Sequence, residues 1–260
     1  MPMISHEPPA GAVASLPLWA TAAEGYRLVF GNLGTLARVA ALPFVLFATI
    51  NLMAPQLGPL GYSLVWEFGV ELPWTLMAVA WLRVLLLGPA SGDAVFFPRL
   101  RQRHLRFLGY ALLLSALHLP LTFLAYPANV FVLEGLQRSV VYWVLYLLVL
   151  YLSLRLSFVY AAVAVDESYG LAIAWRHTRG ISFALFIVVG LAAMLPWQLF
   201  SWLLGEAIEA DPGAAFALGW LWHAALWLPE ALYLAIIAIA FRNCTGWVPL
   251  PDQRVIERFD

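Results

Sequence analysis

Six runs of apolar residues, separated by short polar segments, organise this chain. They cover about residues 34–54, 64–88, 107–127, 139–165, 182–204 and 214–241. Each reaches the roughly 20 apolar residues that a helix needs to cross a bilayer. The runs are continuous rather than alternating, and an isolated strand would leave its backbone groups unpaired in lipid, so strands are excluded. The pattern predicts an all-α polytopic membrane protein with six transmembrane helices in a single domain over residues 18–243. The fourth and sixth runs exceed the need and are expected to tilt or project. Pro229 is expected to bend the sixth. Residues 1–17 are rich in Pro and small side chains and predict a disordered tail, without the basic and apolar regions of a signal peptide. Residues 244–260 predict a short cytoplasmic tail.

The segments between runs carry their own helical pattern. Residues 21–31 open with Thr21 and Glu24 at capping-box spacing and close on Gly31-Asn32, a plausible helix stop. Residues 91–106 are the most basic and add Phe96, Phe97 and Leu100. Residues 166–180 begin on Asp166, Glu167 and Ser168 and end on Arg176 and Arg179, charges that suit the two ends of a helix dipole. All three predict short amphipathic helices in the interface, with Arg toward phosphates and aromatics toward acyl chains. Arg27 and Arg101 are 74 residues apart, Arg101 and Arg176 are 75 apart, and two runs follow each segment. That spacing predicts three parallel repeats of interfacial helix plus hairpin; regular membrane topology alone is the competing account.

Charge sets the orientation. All 14 basic residues are Arg, and with the N-terminus inside, only Arg138 falls on the outer side. So strong a bias places both termini in the cytoplasm. The outer side carries Glu67, Glu134, Glu206, Glu209 and Asp211, with Trp66, Trp143, Trp202 and Trp220 near the outer helix ends. Charged residues make up only 11% of the chain, against about 25% in soluble domains, so the bilayer acts as part of its solvent. Net charge is −1, which gives no pull toward nucleic acid. The single Cys244 excludes an intramolecular disulfide.

Within residues 155–180, Arg155 opens an apolar run that leads to Asp166-Glu167. Ala172, Trp175, Thr178 and Gly180 then precede the next run. This stretch resembles the membrane domain attached to some bacterial glycerophosphoryl diester phosphodiesterases and related six-helix bacterial membrane proteins. It departs from their pattern in lacking Pro before the acidic residue, in Ala174 where Ser is common and in Ile181 where Asn is common. The resemblance implies a six-span fold in a bacterial inner membrane. It implies no phosphodiesterase activity, because in those relatives that chemistry belongs to a separate barrel domain, and only nineteen residues follow position 241 here.

Ionisable side chains inside a span mark candidate sites. Arg155 lies eleven residues before Asp166 and Glu230 twelve before Arg242, so counting along straight helices puts both at similar depth, within pairing reach. His223 is seven residues before Glu230, and His118 is midway along the third run. Arg155, Glu230, His223 and His118 are therefore the candidate intramembrane polar centre, read either as a packing staple or as a path for a substrate or proton. Glu67 and Glu71, one turn apart, read as a wet helix end or a cation pair. Arg99, Arg101, Arg103, Arg106, Arg176 and Arg179 are the candidate contacts to anionic headgroups on the cytoplasmic side. No catalytic, nucleotide-binding or metal-binding motif is present, and no cofactor is expected. The chain reads as a non-enzymatic membrane-organising, lipid-contacting or accessory protein, with a membrane-protein partner or a second copy as further company. The alternative is a small transporter or lipid-handling protein working through Arg155 and Glu230.

Overall fold

Proline marks four of the breaks in these helices, although Pro43 lies within the unbroken helix Leu33–Met53. In a helix interior it has no N–H to donate, and its ring crowds the carbonyl four residues back. The computed structural model describes residues 16–89, 91, 100–121 and 135–249 and is helical, with no strand among them. The interruptions fall four residues before Pro at four places: the π turn Val65–Gly69 before Pro73, the 3-10 turn Ala116–His118 before Pro120, the π turn Gly190–Met194 before Pro196, and the end of a helix at Ala225 before Pro229. A fifth break, at Ser157, has no proline. There the Ser157 hydroxyl donates to the Leu154 carbonyl at 2.7 Å, a local bond that competes with the helix ladder.

The helices are α1 (Leu18–Gly31), α2 (Leu33–Met53), α3 (Gly58–Leu64), α4 (Glu71–Leu87), α5 (Gln102–Ser115), α6 (Gly135–Leu156) and α7 (Phe158–Ala164). They continue as α8 (Leu171–His177), α9 (Ser182–Val189), α10 (Leu195–Ala210), α11 (Ala215–Ala225) and α12 (Trp227–Thr245). Among the described residues, five stretches are long and apolar enough to cross a membrane: Leu33–Asn51, Gln102–Leu121, Val140–Ala164, Ser182–Ala210 and Ala217–Thr245. The expected second span is α4, whose 17 residues extend about 26 Å and fall short of a full crossing by themselves. Residues 1–15, 92–99, 122–134 and 250–260 lie outside the described residues, and with them Phe96, Phe97, Arg99 and Glu134. So do the side chains of Trp66, Glu67 and Arg138.

Three elements form the centre. α4, α7 and α12 touch one another. Every residue from Thr75 to Val84 is buried, as is every residue of α7 and almost all of Ala231–Phe241. Ala78, Ala80, Ala161, Ala162, Ala235 and Ala238 lie there, and such small side chains let backbones approach, the usual basis of helix packing in lipid. Trp81 fills the largest gap and donates its indole N–H to the Ala231 carbonyl at 3.0 Å. α2, α5 and α9 pack against this trio, α10 packs against α11 and the turn Gly190–Met194, and Val45, Leu113, Phe183, Leu195 and Leu203 are left exposed. A largely apolar exterior is what a lipid solvent requires.

The polar segments depart from the sequence expectation. α1 starts at Leu18, not Thr21, because the Thr21 amide donates to the Pro17 carbonyl at 2.9 Å and Thr21 is buried inside the helix. α1 is set against the flank of the bundle rather than laid on its surface. Gly25 faces Leu232 and Ile236, where a Cβ would come within 3.1 Å of Leu232. The Tyr26 hydroxyl donates to the Ala192 carbonyl at 2.6 Å. That carbonyl is the one Pro196 leaves without its helical partner. Tyr26→Phe is therefore expected to lower stability by about 1 kcal/mol. In a Pro196→Ala background, where the N–H returns, the loss is expected to shrink; equal losses in both backgrounds, by thermal unfolding, refute the link.

Residues 102–106 belong to the continuous α5, not to a separate interfacial helix. At the other end of the chain, residues after α12 turn back: Trp247 is buried against Phe241 and donates to a Glu167 oxygen at 3.0 Å.

Candidate functional site: arginine clamps and intramembrane carboxylates

A helix that ends in a membrane leaves its last carbonyls without partners. α7 ends at Ala164, and Arg83 on α4 donates to the Ala164 carbonyl at 2.7 Å. The negative end of the helix dipole favours the same cation. Two residues on, Asp166 takes φ +62°, a left-handed geometry that Asp tolerates better than most side chains. The turn brings its carboxylate to 3.0 Å from Arg103 and 3.6 Å from Arg83. Arg83 and Arg103 are both buried. Arg103 thus faces Asp166, not the headgroups expected from its basic neighbourhood.

The second clamp closes the stretch 155–180. Arg155, in the last turn of α6, donates to the Trp175 carbonyl at 2.5 Å and to the Thr178 hydroxyl at 3.4 Å. Its guanidinium lies 3.7 Å over the Trp175 ring, a cation–π contact. Thr178 donates to the Arg155 and Ala174 carbonyls, each at 2.8 Å. Trp175 and Thr178 are one turn apart, so a single Arg can grip both. Nearby, burial raises the Tyr169 phenol above the ordinary tyrosine range, and its oxygen lies 2.6 Å from His177 Nδ1. The third clamp joins Arg242 to Glu24 at 2.9 Å and ties α12 to α1.

The expected polar centre is not assembled. Arg155 faces α8 and Glu230 faces Trp74, whose indole N–H donates to it at 3.0 Å. His223 lies between the rings of Phe47 and Trp222. His118 is half-buried in the 3-10 turn after α5. Depth counted along straight helices ignores the breaks at Ser157 and Leu226. The second of these puts His223 and Glu230 on different helices, so their seven-residue spacing no longer means one face.

Another polar cluster takes its place. Glu71, read from sequence as the wet outer end of a span, accepts a hydrogen bond from Ser115. Trp74, which binds Glu230, packs against Phe107 and Tyr160. The sequence signal for this site was the conjunction of Glu71 with Pro73 and of Glu230 with Pro229: an acid beside a helix breaker, inside an apolar run.

Among the headgroup candidates, Arg106, Arg176 and Arg179 are exposed, and Arg101 is half-buried with its backbone N–H bonded to His104 Nδ1 at 3.1 Å. The chain matches no family model, no curated protein and no solved structure.

Proposed function

We propose that this chain is a six-span protein of a bacterial inner membrane that acts without catalysis, organising anionic phospholipid at its cytoplasmic face. The division of the arginines carries this reading. Arg83, Arg103, Arg155 and Arg242 are bonded within the protein and hold the bundle closed, while Arg106, Arg176 and Arg179 are exposed at the same end. Exposed interfacial Arg attracts anionic headgroups by about 1 kcal/mol each. The positive-inside rule makes that end cytoplasmic and puts both termini there.

Three parallel repeats belong to the same reading. The second span of each hairpin lies in the centre as α4, α7 or α12 and the first lies outside. Arg155, near the end of the fourth span, grips α8, which opens the third repeat. Arg242, near the end of the sixth, grips α1, which opens the first. These are two of the three contacts that like units packed about one axis would make. The resemblance of residues 155–180 to the phosphodiesterase membrane domain fits this layout, and the Arg155 clamp gives its motif a structural purpose.

The test is thermal unfolding in phosphatidylcholine nanodiscs with and without phosphatidylglycerol. Phosphatidylglycerol is expected to raise Tm. Gln at Arg106, Arg176 and Arg179 together should remove most of the rise. No dependence on the anionic lipid would defeat the proposal. Proteoliposomes loaded with a pH dye address the transport alternative, of which Glu230 is the acidic member: a proton flux abolished by Glu230→Gln would favour it.

A further inference from the structure

We infer that the cleft between α1 and the bent fifth and sixth spans is a phospholipid site, taking one acyl chain in the cleft and the phosphate on Arg27. The inference deepens the lipid-organising reading and rests on it. The cleft has a volume of about 220 Å³ and an almost wholly apolar lining that includes Phe30, Ala193, Trp197, Phe200, Ala225 and Leu228. Its shape follows from the breaks already described. The π turn before Pro196 and the break before Pro229 bend two spans apart, and both prolines line the opening. Tyr26 pins α1 across the gap through the Ala192 carbonyl.

Three observations choose the occupant. The rim residues Phe30 and Leu228 are exposed, so the cleft opens on the flank that faces lipid. Pockets that enclose a drug-sized molecule run to about 300–1,000 Å³; this one is smaller and suits a single chain, with the headgroup outside. Arg27 supplies the matching charge. It is exposed and, three residues from Phe30 on one helix, is a neighbour of the rim. Among the described residues no acid bonds it; Glu24, one turn earlier, is taken by Arg242. Trp19, largely exposed two turns before Arg27, suits the headgroup level at which indoles collect.

The experiment uses the full chain in phosphatidylcholine nanodiscs doped with phosphatidylglycerol that bears a diazirine on one acyl chain. After photolysis, crosslinked peptides are mapped by mass spectrometry. Crosslinks are expected to concentrate in residues 192–200 and 225–232. Ala225→Trp, which fills the cleft from its rim, should reduce them at least tenfold, and Arg27→Gln about fivefold. Should Ala225→Trp fail to fold, Leu228→Trp obstructs the same cleft from an exposed position. Crosslinks spread evenly onto the exposed residues Val45, Trp202 and Leu203, or undiminished by either filling variant, overturn the site. Undiminished labelling in Arg27→Gln overturns the phosphate assignment and with it the proposal. If the phosphatidylglycerol-dependent Tm rise persists while the crosslinks fail, the cleft is refuted and the general lipid reading is not.

Discussion

Arg155→Ala is expected to destabilise the protein by about 2–4 kcal/mol and to melt α8 first. The estimate follows from what the guanidinium holds. Its removal leaves the Trp175 carbonyl without its donor, at about 1–3 kcal/mol for a buried unsatisfied group. It also removes a cation–π contact worth about 0.5–1 kcal/mol, because the Trp175 ring is exposed. α8 has only seven residues, too few to persist on its own helical propensity. Hydrogen exchange should therefore show amides 173–178 losing protection while α4 and α12 keep theirs. Arg155→Lys should recover less than half of the loss, because an ammonium cannot both stack on Trp175 and reach its carbonyl as a planar fork. Unchanged exchange in α8 on replacing Arg155 by Ala would show that the clamp does not hold this segment.

The spans were legible because a bilayer imposes a length. The run expected at 34–54 is observed as Leu33–Met53, and the start of the fifth run at 182 matches α9. Which spans sit in the centre was not legible. α4 and α12 are apolar on every side, but so is α2, and in lipid the same residues serve an exterior or an interior. The acid–base partners were hidden for a different reason. Asp166 reaches Arg83 across 83 residues of sequence through a left-handed turn that no spacing rule announces. Arg155 was rightly singled out as costly, yet its partner is a backbone carbonyl and an aromatic face, which carry no charge to look for. The helix breaks were half-legible. Pro229 was marked as a bend, and Pro73, Pro120 and Pro196 mark the other proline breaks, including the carbonyl that Tyr26 satisfies; the same rule alone would also break α2 at Pro43, which the helix accommodates.

Asp166 offers a second large effect, with two separable parts. Asp166→Asn keeps a side chain at ease in the left-handed region and removes only the charge, leaving Arg83 and Arg103 without their shared anion. Losing one partner of a fully buried ion pair costs about 3–5 kcal/mol. The Asp166 side chain is 54% exposed, so water screens the pair and the expected loss is about 2 kcal/mol. Asp166→Val removes the same charge and adds about 1–2 kcal/mol for a β-branched residue at φ +62°. Asp166→Gly carries no such backbone penalty and should fall nearer to Asn than to Val. The order Asn, Gly, Val in rising damage, measured by thermal unfolding of the detergent-solubilised protein, would establish that charge and backbone geometry both act at this turn. If the three variants are equally stable, the left-handed geometry is not required there. If all three match the parent, the turn between α7 and α8 is held by the Arg83 bond to the Ala164 carbonyl alone, and the carboxylate is incidental to closing this end of the bundle.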